Sequence, residues 1–118
     1  MNISTQTYKQ KGSISVFGKF DFLVHREFKR AYMDMLDNTA IRDIEVDMRH
    51  LDSLDSAALG MLMLLRVRAH ACNKSVAIAN PSGYVLKLLE VANFDKIFHI
   101  KGALYQSSNS TNCTAEAA

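Results

Sequence analysis

The chain is short of the features that mark most specialised protein classes. It has two cysteines in 118 residues. Cys72 lies within an apolar pattern and Cys113 in a polar stretch, so they make no disulfide framework. No CxxC pair or His/Cys cluster suggests a metal. No long hydrophobic run is present: the longest, Ala57 to Leu65, is too short to span a bilayer. Charge of one sign is also missing. Fourteen basic residues against 12 acidic ones leave a net +2, interspersed along the chain, which excludes a strong field for nucleic acid or a membrane surface. Met1 to Gly12 is polar and lacks the apolar centre of a signal peptide, so a cytoplasmic protein is expected. GxGxxG, Walker, GxSxG and HExxH motifs are all absent, and no cofactor is implied.

What remains is an ordinary core-forming sequence with 48% hydrophobic residues. At this length one domain buries roughly two-thirds of the unfolded chain's surface without staples. The boundaries expected are one domain over residues 1–106 and a disordered polar tail over 107–118. From Ser107 onward the composition is Ser, Thr, Asn and Ala with no apolar face.

Period-two alternation marks a strand through Ile14 and Val16, extending to Phe20 around Gly18, and pairing with Ile3 to Tyr8 across a Lys11-Gly12 turn. Asp21 offers a cap to an amphipathic helix through Val24, Phe28, Ala31, Tyr32, Met35 and Leu36, ending near Asp37-Asn38. Ile44, Val46 and Met48 give a second strand, which runs into a loop from Asp52 to Ser56. The helix from Ala57 to about Ala71 is apolar nearly all round in its first half, so it should be the most buried. Met61 and Met63 are read as core, and Arg66 and Arg68 as its wet face. Ser75 to Ala79 reads as a short strand, and the single proline, in Asn80-Pro81-Ser82, as a break that starts the next helix. Lys96 to Ile100 is a last strand, with a helical turn over Gly102 to Gln106. Strands alternating with helices predict an α/β fold: a mixed, mostly parallel sheet of four to five strands covered by about four helices.

The most informative junction is Asp52-Ser53-Leu54-Asp55-Ser56, where a polar loop becomes that apolar helix. Ser56 stands at a helix N-terminus, where unpaired N–H groups and the dipole favour negative charge. It is therefore a candidate phosphorylation site, although Ser and Asp also serve simply as caps. As a nucleophile Ser56 has no base near it in sequence; His25, His50, His70 and His99 are scattered. Asp52 and Asp55 as a metal pair carry less weight than the same residues as solvated caps.

These residues carry a resemblance to the STAS domain of bacterial anti-sigma factor antagonists. It spans about Ser13 to Ile100 and rests on Ile44-Glu45-Val46-Asp47-Met48, Leu51 to Ser56, Leu59-Gly60, Val76 to Pro81, Val85 to Leu89 and Ala92 to Phe98. The family's phosphorylated signature is Asp-Ser, a hydroxyl residue, Gly, a branched apolar residue and Gly; here it reads Asp55-Ser56-Ala57-Ala58-Leu59-Gly60. The resemblance implies a STAS fold and places the phosphoacceptor at Ser56. It implies partner binding around Asp52, Asp55, Ser56, Ala57, Ala58, Leu59 and Gly60. Two departures matter. Ala57 leaves a single acceptor, and Ala58 in place of Gly favours helix and bears on how closely a kinase backbone can approach.

The function implied is a non-enzymatic module switched by a serine kinase of the anti-sigma type and a PP2C-type phosphatase, in some relatives fused to a response regulator. Biofilm, motility and stress control are the expected pathways. No nucleic acid, membrane insertion or metal is expected, and a monomer is. The rival readings are a constitutive accessory subunit of a transporter, in which Ser56 only caps, and a small hydrolase using Ser56.

Overall fold

The computed structural model describes residues 2–102. Its elements in order are β1 (Ile3–Tyr8), β2 (Lys11–Val16), β3 (Gly18–Phe20), α1 (His25–Asp37), β4 (Asp43–Asp47), β5 (Leu51–Leu54), α2 (Ser56–Ala71), β6 (Ser75–Ala79), α3 (Gly83–Val91) and β7 (His99–Lys101), with 3-10 turns at Phe22–Val24 and Phe94–Lys96. Five strands form one sheet in the order β1-β2-β4-β6-β7. β1 and β2 are antiparallel; β2, β4, β6 and β7 are parallel neighbours. The expected mixed, mostly parallel sheet is therefore present, with three α-helices among the described residues rather than about four. The expected turn over Gly102 to Gln106 lies, beyond its first residue, outside the described residues, as does the tail.

Alternation places Ile14, Val46, Ile78 and Ile100 in one row across four strands, and all are at most 5% exposed. α1 covers this face with Phe28, Ala31, Tyr32 and Met35, and α2 with Ala58, Leu62, Leu65 and Ala69. The opposite face is polar, and across it Glu45 pairs with Lys11 at 2.5 Å and Lys101 at 2.8 Å.

Several local expectations need correction. The β1–β2 turn is Lys9-Gln10, not Lys11-Gly12: Tyr8 pairs with Lys11, and Lys9 takes φ 55°. Gly12 lies inside β2, where a Cβ would meet the Met35 sulfur at 2.7 Å, so its smallness lets α1 approach the sheet. Asp21 caps the 3-10 turn, accepting from Leu23 N–H, and α1 begins only at His25. The Asp52 to Ser56 loop is largely a strand: β5 pairs with β3 in a separate two-stranded parallel sheet. The segment after α3 is a 3-10 turn before β7, which starts at His99 rather than Lys96.

α2 is not buried all round. Leu64 is 43% and Val67 57% exposed, because the helix has the sheet on one side only. Nor are Arg66 and Arg68 simply a wet face: Arg66 Nε donates to Ile97 O at 3.1 Å, and Arg68 lies against Met33 sulfur. Cys72, at the end of α2, is exposed. The ends of α2 and α3 follow the sequence reading, with Asn73 and Asn93 in the left-handed region at φ 60° and 63°.

Candidate functional site

The site is built where the small sheet delivers the chain to α2. Gly18, at φ 75°, donates its N–H to His50 O and opens β3 through a bulge. β3 then runs parallel to β5, with Phe20 opposite Leu54 and both side chains buried. Asp55 N–H donates to Phe20 O at 3.2 Å, which ends the pairing. Beyond this bond the two chains leave side by side, one into Phe22–Leu23 and the other into α2.

Asp55, not Ser56, is the cap. Its backbone is extended (φ −115°, ψ −174°), its carboxylate accepts from Ala58 N–H at 3.0 Å, and its C=O accepts from Leu59 N–H. Ser56 is thus the first helical residue. It is exposed, and its hydroxyl has no hydrogen-bond partner among the described residues. Capping by Asp55 frees the hydroxyl from that duty.

The sequence-predicted residues divide by burial. Asp52, Asp55, Ser56 and Gly60 are exposed. Ala57 and Leu59 are half-buried, and Ala58 is fully buried against the core. Four of the seven thus lie open on the surface while Ala58 supports them from below. Ser56, Gly60, Leu64 and Val67 follow one another at helical spacing on the outer side of α2. Beside the helix start, Phe22 is 65% and Leu23 87% exposed, with Phe22 stacked on His25 at 4.7 Å.

Leu23, Leu64 and Val67 are exposed apolar residues near this junction that the sequence reading did not single out. For Leu64 and Val67 the signal available was the surplus of apolar residues in α2, more than one buried face can take. Asp52 and Asp55 belong to no group of three or more His, Cys, Asp or Glu side chains among the described residues. The histidines are dispersed: His50 stacks on Phe17, His70 lies in the last turn of α2, and His99 is on β7. No described helix is long and apolar enough to cross a membrane.

A family model described as "Mlab, STAS domain" matches residues 3–102. The chain belongs to the STAS family. A STAS-domain containing protein of Pseudomonas aeruginosa (strain UCBPP-PA14) is 42% identical over 93 residues, covering 77% of this chain and 88% of the relative. Among solved structures, the anti-sigma factor antagonist SpoIIAA in its unphosphorylated form superposes with TM-score 0.69 at 15% identity, over 92% of this chain and 94% of that one. The Bacillus cell fate determinant SpoIIAA in its phosphorylated form gives 0.68 at 14% identity, over 93% and 99%. These two likenesses show that the STAS domain described here shares the antagonist fold.

Proposed function

We propose that this STAS domain is a non-enzymatic, cytoplasmic binding module whose partner affinity is set by reversible phosphorylation of Ser56. The observation that carries the reading is the position of Ser56: exposed, first in α2, and relieved of capping by Asp55. A serine kinase of the anti-sigma type would transfer the γ-phosphoryl of ATP to the Ser56 oxygen, releasing ADP. A PP2C-type phosphatase would return the hydroxyl by hydrolysis. Either activity is in some relatives fused to a response regulator, and biofilm, motility or stress control is the expected output.

The switch is electrostatic. Without phosphate, the surface around Ser56 offers Gly60, Leu64 and Val67 along α2 and Phe22 and Leu23 beside it. Phosphorylation adds about −1.5 to −2 charges. Asp52 and Asp55 already make the spot negative, so a partner with an apolar or acidic face is repelled. The helix N-terminus accommodates the phosphate, so the fold need not change. A loss of about 3 kcal/mol lowers affinity more than a hundredfold.

Peptide mass spectrometry of protein from its native cells tests the reading, together with partner capture by variants. Phosphate on Ser56, capture retained by Ser56→Ala and lost by Ser56→Asp are expected. A Ser56 unmodified across growth conditions, with both variants capturing the same partner, would replace the switch by a constitutive subunit, such as one attached to a transporter.

A further inference from the structure

β1 is an edge strand built without the usual protection. Among the described residues it pairs only with β2. Phe17 N–H donates to Asn2 O at 2.8 Å, so Asn2 and Phe17 are a hydrogen-bonded pair. Counting along the register, Ser4, Gln6 and Tyr8 also turn their backbone groups to β2. Ile3, Thr5 and Thr7 therefore turn theirs outward. Edge strands are normally blunted by charge, proline or a bulge. Ile3-Ser4-Thr5-Gln6-Thr7-Tyr8 has none of these, and Ser4 to Tyr8 are all exposed. Between β1 and α1 lies a groove of about 660 Å³ with Ile3, Ala31, Met35 and Ile41 in its floor.

We propose that β1 pairs antiparallel with β1 of a second copy, joining two sheets into one of ten strands. The outward groups suit a two-fold axis at Thr5. Thr5 then faces the partner's Thr5, and Ile3 faces the partner's Thr7, with no like charges opposed. The side chains of Ile3, Thr5 and Thr7 share the helix-covered face of the sheet, so those of one copy lie at the mouth of the other's groove.

α1 selects a second copy over an unrelated strand. Its first half carries exposed Arg26, Lys29 and Arg30 against Glu27 alone; its second half carries exposed Asp34 and Asp37 and no basic residue. Of these charged residues Glu27, Arg30 and Asp34 line the groove, whereas Arg26, Lys29 and Asp37 do not. Gly12, the partner of Thr7 in the β1–β2 register, lies against Met35 and Ile41, so the C-terminal half of α1 covers the Thr7 end of β1 and its N-terminal half the Ile3 end. A two-fold at Thr5 therefore runs the two α1 helices antiparallel, with the Arg30–Asp34 stretch of one beside that of the other. Arg30 approaches the partner's Asp34, and Asp34 the partner's Arg30. This assembly differs from the monomer expected from sequence, and it stands independently of phosphorylation at Ser56.

Sedimentation velocity on the full chain from about 1 to 200 μM tests it, since weak specific pairs lie in this range. A concentration-dependent dimer is expected. Thr5→Pro removes an outward N–H without touching the β1–β2 bonds, and should raise the dissociation constant at least tenfold. Arg30→Glu and Asp34→Arg, both on an exposed helix face, should each do the same. An equimolar mixture of those two single variants should regain dimer, because each supplies the charge the other lacks. A monomer at every concentration would overturn the proposal. In that case hydrogen exchange at Thr5 and Thr7 would report whether another segment of this chain covers the edge. A dimer indifferent to all three substitutions would overturn it as well, placing the interface elsewhere.

Discussion

Asp55 sits between a structural duty and a functional one, and substitution can separate the two. Its carboxylate holds Ala58 N–H at 3.0 Å in a half-buried setting. Removing a cap of this kind costs about 1 kcal/mol. The carboxylate also lies at the positive end of the 16-residue helix α2, an interaction of about 0.3–1 kcal/mol when partly exposed. Asp55→Ala loses both contributions, about 1.5 kcal/mol in all. Asp55→Asn keeps a capping oxygen and loses only the charge, about 0.5 kcal/mol. For a folded region of this size, 1 kcal/mol shifts Tm by about 4–5 °C. Asp55→Ala should therefore melt about 6–7 °C lower and Asp55→Asn about 2–3 °C lower. Thermal unfolding followed by far-UV circular dichroism, with urea titration as a check, reads both. Equal losses in the two variants would refute the capping argument, since the hydrogen bond would then contribute nothing beyond the charge. No loss in Asp55→Ala would refute the assignment of Asp55 as the cap. Partner capture by Asp55→Asn then asks whether the charge itself is read: retained binding limits Asp55 to presenting Ser56.

Two further outcomes follow from polar groups away from the site. Burial pushes the Glu45 carboxyl up, but hydrogen bonds from Lys101 and Lys11 more than reverse this and hold it below the usual carboxylate range. Its contribution is therefore present above the unfolded-state value and is lost as pH falls through the lower folded-state value. Glu45→Gln should cost about 1 kcal/mol or less at pH 7, since both lysines are more than a third exposed, and that difference should vanish on acidification in urea titrations from pH 7 to 3. Lys74, only 8% exposed, donates its ammonium to the carbonyls of Asn38 and Ile41 where the chain leaves α1. Lys74→Met strands both acceptors and should cost about 2–3 kcal/mol, read as a lower urea midpoint at unchanged slope.

The elements legible in the sequence are those whose signals are local. α1 announces itself through Phe28, Ala31, Tyr32 and Met35, one face at helical spacing, and β4 through Ile44 and Val46 flanked by charge. Ser82 after Pro81 marks the start of α3, and its oxygen accepts from Val85 N–H. In each case the residues that decide the element lie within one or two turns of it. The candidate site was legible as a junction, because an acidic stretch meeting a long apolar run is visible without a fold.

Tertiary contacts decided the rest. β3 and β5 have three and four residues, too few to show alternation, and each exists only because the other supplies its backbone partners. That pairing, ended by the bond from Asp55 to Phe20, fixes where α2 begins. Asp55 and Ser56 are equally good caps by residue type, so only the register of a distant strand could assign capping to one and exposure to the other. The same holds for Gly12, which reads as a turn residue until Met35 is packed over it, and for α2, whose outer apolar stripe looks like core until its one-sided contact with the sheet is known. Sequence alone determined the longer helices and strands and which junction carries the hydroxyl. The tertiary structure decided which side of each segment meets water, because burial is a property of what packs against a residue and not of the residue itself.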